Sequence, residues 1–162
     1  MKKTVIFGFL TILCMVLIFN FSAQNSVASD KTSDSFTAKV LSTVSPKFKD
    51  LNDSEKEKVV RNLTFPVRKS AHFTIYFILG IFSSLTFLSL NKPNLFLSSA
   101  ASFAICALYA VSDEIHQYFV PGRSCEVRDM LIDSSAALIA VLTVSLYFKK
   151  KRRKSCEKEK AS

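Results

Sequence analysis

The chain has 162 residues, with 22 Lys and Arg against 13 Asp and Glu, for a net charge of +9. Its 49% hydrophobic content lies in long unbroken runs, which excludes an ordinary soluble domain. Glycine is scarce (3), so no Gly-rich phosphate loop is available. A bilayer crossing needs about 20 mostly apolar residues, and lipid forces such a run to be helical. The fold class expected is therefore an all-α membrane protein: four transmembrane helices, with an extracytoplasmic loop of one or two short amphipathic helices.

The first run is Val5–Phe21, preceded by Lys2 and Lys3. Its apolar stretch exceeds the usual core of a signal peptide. A cut after Ala23 would put bulky Phe21 where a small residue is wanted, so an uncleaved anchor is expected. The connection from Ser22 to Ser70 follows. Phe36, Val40, Leu41 and Val44 form an apolar stripe at helical spacing that ends before Pro46. Ser54 and Glu57 have capping-box spacing, and Val59, Val60 and Leu63 follow on one face. Pro66 suits the first turn of the next helix, with Arg68, His72 and Tyr76 in successive turns of it.

The second run is Phe73–Leu90 and the third begins at Leu95; Asp113-Glu114-Ile115-His116-Gln117 closes it, so this span is taken to 116. Asp113, His116 and Gln117 share a face, and Glu114 lies about 100° from Asp113. An unbroken helix cannot aim Glu114 and His116 at one point. Pro121-Gly122 is a turn. The fourth run is Met130–Phe148, with Asp129 at its start and Asp133 one turn deeper. Asp133 interrupts an apolar helix and needs a partner there, for which Arg68, Arg123 and Arg128 are the candidates. The organisation expected is one membrane domain, 1–148, with spans at about 5–21, 73–90, 95–116 and 130–148 and an outer loop at 22–70. A basic tail, 149–162, follows and is expected to be disordered after Lys154.

Four spans put both termini on one side. The run Lys149–Lys154 abuts the last span and argues for a cytoplasmic tail, with Lys2, Lys3 and Lys92 on the same side. The tail can rest on anionic lipid at that surface. A nucleic-acid partner is not expected, because no groove-reading motif accompanies the basic residues. The four cysteines do not form a disulfide framework: Cys14 and Cys106 lie within spans, Cys125 alone in a connection and Cys156 in the tail.

At about 1.5 Å rise per residue, His72, Asp113, Glu114 and Asp129 all reach the outer boundary of the hydrocarbon. Ser22, Gln24 and Asn25 close the first span there. The expected polar cluster comprises Arg68, Lys69, His72, Tyr76, Asp113, Glu114, His116, Gln117, Arg123, Arg128, Asp129 and Asp133. Arg68, Lys69, Arg123 and Arg128 suit a phosphate or carboxylate, Arg by its paired donors. Gln117 and Tyr76 supply neutral hydrogen bonds. No tight ligand spacing such as His-Glu-x-x-His is present, so no metal or cofactor is assigned from sequence.

These residues resemble the VanZ-like family of small bacterial multispan membrane proteins. The match is carried by Arg68-Lys69-Ser70-Ala71-His72-Phe73 into Tyr76, by Ser112 through Phe119, by Pro121-Gly122-Arg123, and by Asp129 with Asp133. Phe21-Ser22-Ala23-Gln24 resembles the element after the family's first span. The chain departs at Asp133, where the family often has Asn, and at Ala136, where it usually has Gly. The family is named for a protein linked to teicoplanin resistance, and the resemblance implies a location and a process rather than a reaction.

The function expected is non-enzymatic: an outward-facing polar pocket in the plasma membrane that binds an envelope lipid, a peptidoglycan precursor or an amphiphilic glycopeptide. One alternative is a membrane-embedded hydrolase or transferase acting on a lipid-linked phosphate, with His72 or His116 as base. Another is an ion-coupled transporter using Asp133 and Glu114. Four spans are few for transport, so a homo-oligomer stays among the partners.

Overall fold

A computed structural model describes residues 2–90 and 94–161 of the chain, with side chains through residue 158. Lys92, expected on the same side as the termini, lies outside the described residues. Every described element is a helix: α1 (Lys2–Ser22), α2 (Ser26–Val44), α3 (Pro46–Lys49), α4 (Asp53–Ser89), α5 (Leu95–Tyr118) and α6 (Val127–Ala161). Helices α1, α4, α5 and α6 are long and apolar enough to cross a membrane. Their outward faces carry exposed Phe9, Ile12, Val16, Leu108, Leu142 and Leu146, side chains that water would not tolerate in such density and lipid would.

The core is built from small and medium residues. Cys14 and Ile18 of α1 meet Tyr76 and Leu79 of α4, Cys106 and Ala110 of α5, and Ala136 and Ala137 of α6. A β-carbon at Gly80 would lie 2.8 Å from Ala140 Cβ and 2.9 Å from the Ala137 carbonyl oxygen, so α4 and α6 touch backbone to backbone there. Such close approach, rather than apolar burial, is what draws helices together in lipid. The Tyr109 hydroxyl donates to the Met15 carbonyl at 2.6 Å and ties α5 to α1.

Helix α4 departs from the sequence-based expectation. It begins thirteen positions before Pro66, and at 37 residues it is about 55 Å long, well beyond one bilayer crossing. Its capping box is Asn52 with Glu55, not Ser54 with Glu57: the Asn52 side chain accepts from the Glu55 amide at 2.9 Å, and Glu55 accepts from the Asn52 amide at 3.1 Å. Glu57 instead faces Arg61 one turn on, at 3.6 Å on an exposed face. Pro66 therefore lies inside the helix, where its missing N–H removes one backbone bond. Contacts on both sides of it hold the two parts in line. Asp34 of α2 accepts from Thr64, and Asp30 pairs with Arg68.

These pairs make α2 antiparallel to the N-terminal part of α4. Asn25 caps α2, accepting from the Ala28 amide at 2.8 Å. The face that α2 turns inward is polar, with Ser29 and Thr37 buried, while Phe36, Val40 and Val44 of its apolar stripe are exposed. The tail also differs from expectation. Helix α6 continues through the basic run to Ala161 instead of ending at Lys154. Arg153 donates to Glu157 at 2.9 Å, the four-residue pairing that supports an exposed helix.

Candidate functional site

One end of the bundle gathers the polar residues. The last turns of α5 carry Asp113, Glu114 and Gln117, and the first turns of α6 carry Asp129 and Asp133. The middle of α4 carries Lys69, His72 and Tyr76, and α1 ends at Ser22. The residues that α4 and α6 contribute stand three or four apart, so each of these helices presents one polar face at that end. Asp113, Glu114 and Asp133 are 3%, 1% and 2% exposed, which demands a partner for each.

Asp113 finds its partners on two helices. The Ser22 hydroxyl donates to Asp113 Oδ2 at 2.9 Å, and Gln117 Nε2 donates to the same oxygen at 3.1 Å. Gln117 Nε2 also reaches the Ser22 hydroxyl at 3.3 Å. Arg123 then donates through Nη2 to Gln117 Oε1 at 2.6 Å. The loop residue is thus joined to the buried carboxylate through one amide. Burial lowers the Arg123 pKa from its ordinary value, and the neighbouring charge of Arg68 adds to this against the pull of Asp113, Glu114 and Asp129.

Glu114 points elsewhere, as the 100° offset requires. Its Oε2 accepts the backbone N–H of Glu126 at 3.0 Å, immediately before α6. This holds the α5–α6 connection and places a negative group at the start of α6. Gly122 makes the turn in that connection with φ of 76°, and a β-carbon there would collide with Ser26 Oγ. The Ser26 amide donates to the Pro121 carbonyl at 3.4 Å, so α2 starts against this turn.

Helices α4 and α6 run side by side and meet in two rungs. The outer rung is the ion pair of Lys69 with Asp129. The inner rung is His72 Nδ1 and Asp133 Oδ2, 3.7 Å apart. Ligand atoms of His72, Asp113 and Asp133 all lie within 4.8 Å of one another. The partner of Asp133 is therefore His72, not one of the three arginines expected. The reason is depth. Arg68 sits a turn further out and pairs with Asp30, Arg123 is held by Gln117, and Arg128 is exposed. Tyr76, one turn below His72, is fully buried, and its hydroxyl faces the Asp113 carboxylate without a short hydrogen bond.

Two residues expected in the cluster are not brought to its centre. Arg128 lies on the outer surface of α6. His116 stacks on the Phe19 ring at 4.5 Å and 25°, toward α1. Two residues that pair with α4 at this end, Asp30 and Asp34, have no signal in the sequence that singles them out. They stand four apart on α2, as Thr64 and Arg68 do on α4, but only the topology pairs the two faces.

Beside the cluster lies a cavity of about 270 Å³ between α1, α2 and α4. Ile18, Phe21, Phe36 and Ile75 give it apolar walls, and Arg68 and His72 supply its charged and titratable groups. His72 thus belongs to both the cavity wall and the buried triad. The residues 7–148 match the family model described as VanZ/LLP1. The chain belongs to the VanZ/LLP1 family. No curated protein and no solved structure matches it.

Proposed function

We propose that this VanZ-family protein is an amphiphile-binding protein of the bacterial plasma membrane. The cavity takes the acyl or prenyl chain of an anionic envelope lipid or lipid-linked peptidoglycan precursor, and Arg68 faces the phosphate. The observation that carries this reading is one cavity combining apolar walls from three helices with Arg68 and His72. A neutral metabolite would not need the apolar walls, and an uncharged lipid would not need the arginine. Asp30 holds Arg68 from the exposed side and orients the guanidinium without burying it. Capture of a lipophilic glycopeptide by the same cavity, and through it teicoplanin resistance, is a consequence of this reading.

The polar end faces outward and both termini are cytoplasmic. The Lys149–Lys154 run, at the opposite end of α6 from Asp129, supports this orientation. One second reading has a specific observation behind it. His72 between two buried carboxylates is a group suited to general-base work on a lipid-linked phosphate.

The test uses the full chain in nanodiscs with a fluorescent polyisoprenyl phosphate as probe. Arg68→Ala should weaken binding about tenfold or more, the worth of one charge-assisted hydrogen bond. Binding no tighter than that of a neutral lipid, or unchanged by Arg68→Ala, sinks the proposal. Orientation is read from the native thiols: an impermeant maleimide on intact cells should reach Cys125 and spare Cys156.

A further inference from the structure

We infer that His72, Asp113 and Asp133 form a binding site for one divalent transition-metal ion, at the buried side of the cavity. The inference rests on the proposed amphiphile cavity only for what fills the ion's open coordination position. Three helices supply the donors: one imidazole from α4 and one carboxylate each from α5 and α6. Their ligand atoms fall within 4.8 Å of one another, with His72 Nδ1 and Asp133 Oδ2 at 3.7 Å. Ligand atoms around a zinc ion sit about 2.0–2.2 Å from it and so about 3.3–3.6 Å from one another, which atoms within 4.8 Å reach by closing in by up to about 1.5 Å. One nitrogen and two carboxylate donors suit zinc, manganese or ferrous iron better than calcium or magnesium.

A second observation points the same way. Ser22 and Gln117 both donate to Asp113 Oδ2, which leaves Oδ1 buried without a short hydrogen bond, with the Tyr76 hydroxyl as a further donor facing this carboxylate. A buried carboxylate oxygen left bare is costly, and nearly all such atoms have a partner. Here the donors on the far oxygen resemble the outer support that orients a metal-binding carboxylate. Arg123 extends that support by holding Gln117. Charge argues for a cation as well. Lys69 is engaged by Asp129 and Arg68 by Asp30, so the one basic side chain in an ion pair with the two deep carboxylates among the described residues is His72, while Arg123 reaches Asp113 only through Gln117. The Tyr76 hydroxyl, fully buried one turn below His72 on the same helix, faces the Asp113 carboxylate. Because His72 also lines the cavity, the ion's remaining position faces a bound phosphate.

The experiment uses the full chain purified in detergent, with Cys125→Ser and Cys156→Ser removing the exposed thiols that bind zinc independently. Protein stripped with a chelator is titrated with zinc and read by calorimetry and by metal analysis. One equivalent per chain is expected. His72→Leu and Asp133→Ala should each weaken binding roughly 100-fold or more, and Ser22→Ala about tenfold through the supporting bond. His116→Ala should leave it unchanged. No stoichiometric zinc in the parent chain overturns the inference, as does zinc binding that survives His72→Leu. If His72→Leu and Asp133→Ala do not fold, Ser22→Ala decides, and unchanged affinity there counts against the site. Zinc binding retained while the polyisoprenyl probe fails to bind would reject the cavity reading and leave the metal site standing.

Discussion

Helices α4 and α6 touch along two stretches built on opposite principles. Toward the polar end their contacts are Lys69 with Asp129 and His72 with Asp133. Two turns further in, Gly80 meets Ala137 and Ala140 with no side chain larger than the Ala140 methyl at the contact. The inner stretch gains from the absence of side chains, since dispersion and close approach are what lipid leaves available. The outer stretch gains from particular atoms. A charge at that depth persists only if a partner of the right reach stands opposite. The inner contact sets how closely the helices pack, and the outer one sets which rung faces which.

That contrast can be broken at its strongest point first. Gly80→Leu pushes a side chain into the Ala137 backbone, which cannot yield as a flexible side chain would. It should cost about 3 kcal/mol or prevent folding, measured by denaturation in mixed micelles. Stability within experimental error of the parent would mean that the seam is loose. Asp113→Ala strips the Ser22 hydroxyl and the Gln117 amide of their shared acceptor. A loss of about 2 kcal/mol is expected by the same measurement. A variant as stable as the parent would show that the polar end is held by something other than this network. At the small end, Arg128→Ala should change stability by less than about 0.5 kcal/mol, because its side chain is exposed on the outer surface of α6. It should also leave probe binding unaltered, in contrast to Arg68→Ala.

Much of this arrangement is legible in the sequence. The four apolar runs are unambiguous because each is long and lipid permits only a helix there. The i, i+4 spacing of Asp129 with Asp133 and the divergence of Glu114 from His116 follow from helical geometry alone. Where helices stop is less legible. Pro66 resembles a beginning because its ring suits a first turn, but the Asn52–Glu55 box upstream and the contacts of α2 carry the helix through it. The tail has the composition of a disordered segment, yet α6 runs on to Ala161 with Glu157 one turn from Arg153.

The chain alone determined that there are four long helices, which residues share a face, and that the charged faces crowd toward one end. These are local matters, set by composition and by a period of about 3.6 residues. Which face meets which was decided only in three dimensions. His72 rather than an arginine stands opposite Asp133, Asp30 takes Arg68, His116 turns to Phe19, and Ser22 takes Asp113. Such pairings depend on the rotation and depth of one helix against another. Residues 61 positions apart along the chain, as His72 and Asp133 are, carry no spacing signal that could reveal them.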